Sequence, residues 1–221
     1  GVVCVAAAAG SIGDERWECD PHDGPRGTAS LVDDIYDGSI GSYPSDLTVL
    51  DGVLYFCAND DTNGEELWMY DPNDGPGGTV SLVDDIWDGS SGSQPSYLTV
   101  LDGVLYFAAY DGEDGEELWM YDPDTGTTSL VDDIRDGSGS SFPNELTVID
   151  GILYFQADDD ITGQQLWTYA PATGVSKAAD INETPDNTLD YIFAFGDYLV
   201  VQAATHEFGD ELWVYNPDGW L

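Results

Sequence analysis

Positive charge is what this sequence has least of. Only 4 Lys and Arg residues stand against 44 Asp and Glu residues in a chain of 221, which gives a formal net charge of −40 at pH 7. A surface of that charge repels nucleic acid and anionic membranes, so we expect no nucleic-acid partner and no membrane insertion. No apolar run reaches the ~20 residues that a membrane-spanning helix requires. The carboxylates must therefore be balanced by ions from solution or by bound metal.

A shortage of hydrophobic residues would indicate disorder, but this chain has no such shortage. Hydrophobic residues make up 42% of the sequence, with 7 Trp and 13 Tyr, so the chain can bury a core. Asp outnumbers Glu by 33 to 11, and Asp favours turns over helices. The 26 Gly and 11 Pro residues strengthen the turn signal. The composition predicts an all-β fold with acidic turns, in a single domain over residues 1–221.

Tryptophan spacing reveals an internal repeat. Successive tryptophans lie 51, 51, 48 and 46 residues apart, and each has a Gly four residues before it: Trp17, Trp68, Trp119, Trp167 and Trp213. A period near 50 residues is typical of propellers and solenoids. Each unit contains four short apolar runs, which we call A, B, C and D. Runs A and B are joined by Asp-Gly, a strong signal for a tight hairpin.

The four runs predict one four-stranded antiparallel sheet per repeat, and the whole chain is predicted to be a β-propeller of about five such blades. An open β-solenoid is the alternative. The first blade lacks run A and the last lacks run D. The predicted blades are a partial one at 1–35, full ones at 47–86, 98–134 and 146–181, and a partial one at 189–221.

Two recurring motifs are similar to those of a known family. Gly-Glu-Glu-Leu-Trp and Ser-Leu-Val-Asp-Asp-Ile resemble the ELWxxDGT repeats of secreted bacterial proteins, most specifically over residues 47–155. The family's Asp-Gly-Thr is replaced here by Tyr-Asp-Pro, as at Tyr70–Pro72, which looks kelch-like. The resemblance implies an exported propeller, and therefore an extracellular, secreted protein. It implies no particular activity.

Acidic residues recur at loop positions, which suits Ca²⁺ because this ion takes 6–8 oxygen ligands with flexible geometry. One column follows run B, a second follows run D, and a third lies in the turns between runs C and D. The candidate calcium ligands are Asp60, Asp111 and Asp159; Asp37, Asp88 and Asp136; and Asp71, Asn73, Asp122 and Asp124. The alternative is a solvated, halophile-like acidic surface. A fourth column, Asp34, Asp85, Asp133 and Asp180, is interpreted as structural turn caps instead.

The three cysteines and one sequon give smaller predictions. Cys4 and Cys19 replace the tyrosines of runs B and C in the first repeat only, so we predict a disulfide between them, with two buried thiols as the alternative. Cys57 would remain free. Asn182 begins the sequence Asn-Glu-Thr, a candidate N-glycosylation site.

No catalytic constellation stands out. The two histidines, His22 and His206, lie in different loop columns, and the acids follow the repeat, which catalytic groups should break. The sequence therefore predicts a protein that is not an enzyme. We expect an extracellular calcium-binding propeller with a structural or adhesive role, which self-assembles with other copies into a fibre or surface layer. The alternative is a secreted propeller that binds or cleaves carbohydrate, with polysaccharide as its partner.

Overall fold

The computed structural model describes residues 3–8, 14–20, 28–179, 189–205 and 207–216, with side chains at 31–178, 189–205 and 207–216. Within these ranges all regular structure is β-strand, and no helix is present that is long and apolar enough to cross a membrane. The chain divides into two compact units, residues 1–95 and 96–221. The single domain over 1–221 stays a prediction.

The first unit contains two antiparallel sheets. The first sheet has three strands in the order of the chain: β1 (Val3–Ala8), β2 (Asp14–Asp20) and β3 (Thr28–Leu31). The second sheet has four: β4 (Ser45–Leu50), β5 (Val53–Asn59), β6 (Glu65–Asp71) and β7 (Thr79–Asp84). Both are meanders, as the runs B-C-D and A-B-C-D predict.

The second unit contains three antiparallel sheets. The third sheet has β8 (Ser96–Leu101), β9 (Val104–Tyr110), β10 (Glu116–Asp122) and β11 (Thr127–Asp132). The fourth sheet has β12 (Asn144–Ile149), β13 (Ile152–Asp158), β14 (Gln164–Ala170) and β15 (Gly174–Ala179). The fifth sheet has β16 (Leu189–Phe195), β17 (Tyr198–Thr205) and β18 (Gly209–Tyr215).

The Asp-Gly hairpins form as the sequence predicts. Asp51 and Gly52 have φ of 50° and 85°. Positive φ at both central residues is the mark of a type I′ turn, whose twist matches that of the flanking strands. The same turn recurs at Asp102 and Asp150, each with φ of 50°. These turns set the pairing of the first two strands in each four-stranded sheet.

The core lies between successive sheets. In the second unit, Tyr106 and Leu118 of the third sheet pack with Leu153 and Phe155 of the fourth. Tyr154 and Leu166, on the other side of the fourth sheet, pack with the fifth. Strands of the B and C type therefore bury both faces, which explains why their sequences are apolar at nearly every position.

The first sheet bears on the disulfide prediction. Its register pairs Cys4 with Glu18, and Val3 with Cys19, so the two cysteines are offset by one position along the pair. Successive residues of a strand point to opposite faces, so this register weighs against a Cys4–Cys19 bridge, which stays a prediction. Cys57 is free and buried, and burial raises the pKa of its thiol. Asn182 and Asp180 lie outside the described residues, as do His22 and His206.

Candidate functional site

The acids after strand B close their own loops. Asp60 accepts hydrogen bonds from the backbone N–H groups of Thr62 at 3.0 Å and Asn63 at 2.8 Å, and from the Asn63 amide at 2.7 Å. Asp111 accepts from the N–H groups of Glu113 and Asp114 at 2.9 and 2.8 Å. These carboxylates stabilise the turn into strand C, which is a structural role that the spacing alone did not reveal.

Asp159 has the same capping role in the fourth sheet, and a lysine joins it. It accepts from the N–H of Thr162 at 2.7 Å, and Lys177 Nζ lies 3.1 Å from its Oδ2. Burial alone would raise the pKa of Asp159, but these hydrogen bonds and the one from Ile161 outweigh it and lower the pKa to about 2. Lys177 occupies the strand position of Leu130, so this repeat alone places an ammonium group beside the loop acid.

The turn acids between strands C and D form Asx turns. Asp71 accepts from the N–H of Asn73 at 2.8 Å, and Asp122 accepts from the N–H of Asp124 at 2.9 Å. An Asx turn needs no metal, since the side chain mimics a backbone turn. Of the four residues predicted as ligands here, Asn73 and Asp124 are exposed.

The fourth column behaves as the predicted turn caps. Asp34, Asp85 and Asp133 each accept from the N–H of the glycine four residues on, at 3.4, 3.2 and 3.0 Å. The other oxygen of each carboxylate is buried and has no hydrogen-bond partner. The neighbouring candidate ligands of the second column are all exposed on their loops: Asp37, Asp88 and Asp136.

The predicted calcium ligands stay a prediction. Over the part of the chain that the structure describes, no three His, Cys, Asp or Glu side chains are grouped so that they could hold a metal ion. In the third sheet, burial and the charges of Asp111, Asp133 and Glu113 raise the pKa of Asp114. Five of the ten predicted calcium ligands close their own turns, and the role of all ten as ligands stays a prediction: the five are Asp60, Asp71, Asp111, Asp122 and Asp159.

Sequence reasoning missed a set of hydrogen bonds made by a buried glutamate in strand C. The Glu117 side chain is fully buried. It accepts hydrogen bonds from the N–H of Ser141 at 2.9 Å, from the Ser141 hydroxyl and from the N–H of Ile134 at 3.1 Å. Ser141 also accepts at its carbonyl from Asp158 N–H at 2.9 Å. Glu117 and Ser141 therefore tie the third sheet to the fourth.

The second sheet repeats this contact with Glu66 and Ser93. Glu66 is fully buried and accepts from the N–H of Ser93 at 2.7 Å, from the Ser93 hydroxyl and from the N–H of Ile86 at 3.2 Å. Burial raises the pKa of Glu66 and of Glu117 to about 7, and the hydrogen bonds only partly offset that effect. We call each pair a Glu–Ser clamp.

The repeat glycine explains how the clamped segment fits so closely. A Cβ atom on Gly64 would lie 2.5 Å from the backbone nitrogen of Gly92, and one on Gly92 would lie 2.4 Å from that of Glu65. Gly64 also has φ of 78°, which favours glycine. Close backbone packing therefore requires the repeat glycine in the second and third sheets, at Gly64 and Gly115, whereas Gly209 in the fifth sheet has open space around its Cβ position.

The fifth sheet carries more exposed large apolar side chains than any other sheet whose side chains the structure describes. On β16, alternate residues Tyr191, Phe193 and Phe195 are 62%, 65% and 68% exposed, and on β18, Leu212 and Val214 are 71% and 52% exposed. The register joins these residues across the sheet, since Phe193 pairs with Val200 and Val200 with Val214. We call this surface the outer face of the fifth sheet.

The opposite side of the same sheet is buried. Leu199, Val201 and Ala203 are fully buried and pack against the fourth sheet. The outer face is thus one side of a sheet whose other side is already core. Monomeric proteins seldom expose more than about 300–600 Å² of contiguous apolar surface, and larger patches mark interaction sites.

Comparison with known proteins gives a fold and no family. No family model matches the sequence, and no curated protein matches it. Solved structures do match. TolB from Acinetobacter baumannii is similar over 100% of this chain and 50% of its own, with 14% identity and a TM-score of 0.57. A puromycin hydrolase S511A mutant complexed with PGG is similar over 92% of this chain and 32% of its own, with 16% identity and a TM-score of 0.62.

The propeller domain of the Trilobed protease from Pyrococcus furiosus is also similar. It matches 97% of this chain and 62% of its own, with 10% identity and a TM-score of 0.56, and it is described as having an open velcro topology. The chain therefore spans about half of TolB and a third of the puromycin hydrolase. At these identities the likeness shows the fold alone, and that fold is all-β and propeller-like.

The prediction that this protein is not an enzyme is wrong. Its solved neighbours include puromycin hydrolases, one of them described as a peptidase, so a fold of this kind occurs within enzymes. The argument from repeat symmetry considered only this chain, whereas the matched region is 32% of the puromycin hydrolase chain.

Proposed function

We propose that this chain is a propeller module of an extracellular structural or adhesive protein, and that it acts by binding other macromolecules through the outer face of the fifth sheet. The five sheets would be its blades, with the first and last incomplete, as in the ELWxxDGT repeats that the sequence resembles. The observation that carries the proposal is the exposure of five large apolar side chains on one side of one sheet.

The chemistry of that face favours association over solvation. Tyr191, Phe193, Phe195, Leu212 and Val214 bear no charge, in a chain whose net charge is −40. Over most of such a surface, carboxylates oppose the approach of another acidic molecule. The outer face removes that obstacle locally and offers apolar area whose burial is favourable at about 25 cal/mol per Å².

The test compares two aspartate substitutions at exposed apolar positions. Leu212→Asp alters the outer face, whereas Ile161→Asp alters an isolated loop residue that is 79% exposed. Sedimentation velocity at rising protein concentration should show association in the wild type and in Ile161→Asp, and its loss in Leu212→Asp. Equal association in all three proteins would refute the proposal.

Calcium is a separate part of the proposal. Its support is the net charge of −40 and the recurrence of acids such as Asp60 and Asp111 at corresponding loop positions, since the described side chains form no group of three or more that could hold the ion without ligands from solvent. In the fourth sheet, Lys177 places a positive charge beside the corresponding Asp159. We propose that Ca²⁺ binds at the loops without a lysine and stabilises the fold.

Carbohydrate binding is the second candidate. Tyr191, Phe193 and Phe195 stand on alternate positions of one strand, so their rings are spaced by about 7 Å. A row of aromatic rings beside exposed Asp190 and Asp197 is a surface on which a polysaccharide can stack. The aliphatic Leu212 and Val214 offer a sugar no hydrogen bonds, which favours a protein partner. Isothermal titration with acidic and neutral polysaccharides, on wild type and Phe193→Asp, separates the two candidates.

A further inference from the structure

A cavity of about 380 Å³ lies between the fourth and fifth sheets. Tyr215 is its wall on the fifth sheet, and this residue pairs with the buried Leu199, so the cavity is on the side opposite the outer face. Within the fourth sheet the lining includes the apolar residues Ile149, Ile152 and Ala178. Small-molecule sites have volumes of this order, and they combine a mostly apolar lining with a few placed polar groups.

The fourth repeat opens this cavity by carrying smaller side chains than the third. Thr168 of β14 holds the strand position of Met120. Ala178 of β15 likewise holds the position of Val131. In the third sheet, Met120 and Val131 pack against the core that the third and fourth sheets share. The second sheet has the same two larger residues, Met69 and Val83. Both departures of the fourth repeat line one cavity, and function is expected where a repeated pattern is broken.

Two tyrosine rings bound the cavity. Tyr154 and Tyr215 meet edge to face, with ring centroids 6.0 Å apart, and both line the cavity. The corresponding pair between the third and fourth sheets, Tyr106 and Tyr169, is closer, at 5.1 Å. A tyrosine ring offers a flat apolar face against which the C–H groups of a ligand can pack.

Polar groups surround the opening of the cavity. Asp150 lies in the turn between β12 and β13, and Thr173 lies in the turn between β14 and β15. Both are exposed and both line the cavity, so it opens to solvent between them. The Thr168 hydroxyl donates to the Ser176 carbonyl oxygen at 3.1 Å, and its oxygen can still accept a hydrogen bond.

The charges around the cavity favour a neutral ligand. An anion is opposed by Asp150 and by the net charge of −40, and the Lys177 ammonium group is already paired with Asp159 at 3.1 Å. A cation gains from Asp150 but is opposed by Lys177, which lines the same cavity. The ligand that fits best is therefore uncharged, with one apolar face and several hydroxyl groups.

We propose that this cavity binds one sugar unit of a neutral glycan. A pyranose ring has a face of C–H groups for the tyrosine rings and a rim of hydroxyl groups for Asp150, Thr168 and Thr173. A carboxylate accepts hydrogen bonds through both oxygens, so Asp150 can bind two adjacent sugar hydroxyls. The site is separate from the outer face, and it goes beyond the proposed function without depending on it.

The test refills the cavity with the side chains of the other repeats. The double variant Thr168→Met with Ala178→Val should fold and should melt at or above the wild-type temperature, because it fills a space. Saturation-transfer NMR with neutral hexoses, N-acetylhexosamines and their disaccharides should show binding to the wild type and none to the refilled variant. Asp150→Asn should weaken binding about tenfold through the loss of a charge-assisted hydrogen bond. The matched control Asp102→Asn, in the same turn of the third sheet, should bind like the wild type.

Four results would overturn the inference. If no neutral sugar binds the wild type, the cavity is only a packing defect. If binding survives in the refilled variant, the sugar binds elsewhere. If tetramethylammonium binds and no sugar does, the ligand class is wrong. If the refilled variant and Ala178→Val alone both melt below the wild type, the space is not free. Sedimentation of Leu212→Asp tests the proposed function separately, so the two failures are distinguishable.

Discussion

Replacing both buried glutamates by glutamine should flatten part of the pH dependence of stability. The pKa of Glu66 and of Glu117 rises from 4.5 to about 7 in the folded protein because burial disfavours their charged form. Between these pH values the folded state binds more protons than the unfolded state. The contribution of the protonated Glu66 and Glu117 to the free energy of unfolding is therefore complete below about pH 4.5, and it is lost as the pH rises through about 7.

The size of the effect follows from the shift. At 1.36 kcal/mol per pKa unit, each glutamate accounts for a loss of about 3 kcal/mol in the free energy of unfolding between pH 4.5 and pH 8. Glutamine has nearly the same shape and does not titrate. The difference in unfolding free energy between wild type and Glu117→Gln should thus change by about that amount over this pH range.

The assay is urea denaturation followed by tryptophan fluorescence at several pH values and constant ionic strength. The matched control is Glu211→Gln, which alters the same repeat position in the fifth sheet, where the side chain is exposed. The unfolding free energy of the control should change with pH in the same way as that of the wild type. If the unfolding free energies of Glu66→Gln and Glu117→Gln also follow the wild type across this pH range, the pKa of the clamp glutamates is not raised by burial, and this account of the clamp is mistaken.

Three further predictions follow from single contacts. Gly92→Ala should lower the free energy of unfolding by more than about 1 kcal/mol, because the new Cβ would meet the Glu65 backbone and because φ at this position is 77°. The control Gly52→Ala has open space around its Cβ, so it should cost only the strain of its positive φ. Lys177→Met should destabilise the protein by about 1–2 kcal/mol and move the acid unfolding midpoint to higher pH, since Asp159 loses a charged partner; an unchanged midpoint would contradict this. Millimolar Ca²⁺ should raise the melting temperature above that in chelator, by more than an equal ionic strength of KCl does, and a full rescue by KCl would favour the halophile-like alternative.

The strands were predictable because their signals are local. Alternating apolar runs, Asp-Gly turns and the tryptophan period placed the full repeats at 47–86, 98–134 and 146–181, and the observed sheets begin two residues earlier in each case. The loops were not predictable from residue type. An aspartate that caps a turn and one that binds calcium would occupy the same kind of acidic loop, and the hydrogen bonds of Asp60 and Asp111 reveal only the capping role.

A sequence pattern accompanies the Glu–Ser clamp, and sequence reasoning did not use it. A glutamate two residues before Trp occurs together with a serine two residues before Pro, as in Glu117 with Ser141. In the fourth repeat both change, since Gln165 replaces the glutamate and no serine occurs in residues 180–188. The exposure of the outer face had no such signal, because strands of every repeat are apolar on both sides. Only the packing shows which side lacks a neighbour.

Negative-stain electron microscopy tests the central claim most directly. Wild-type protein in calcium should form assemblies of more than one chain, the Phe193→Asp variant should give single particles, and the Ile161→Asp control should form assemblies like the wild type. Single particles of one chain in all three samples would contradict the claim that the outer face of the fifth sheet joins copies of this protein. Assemblies in all three would show that the copies associate through some other surface.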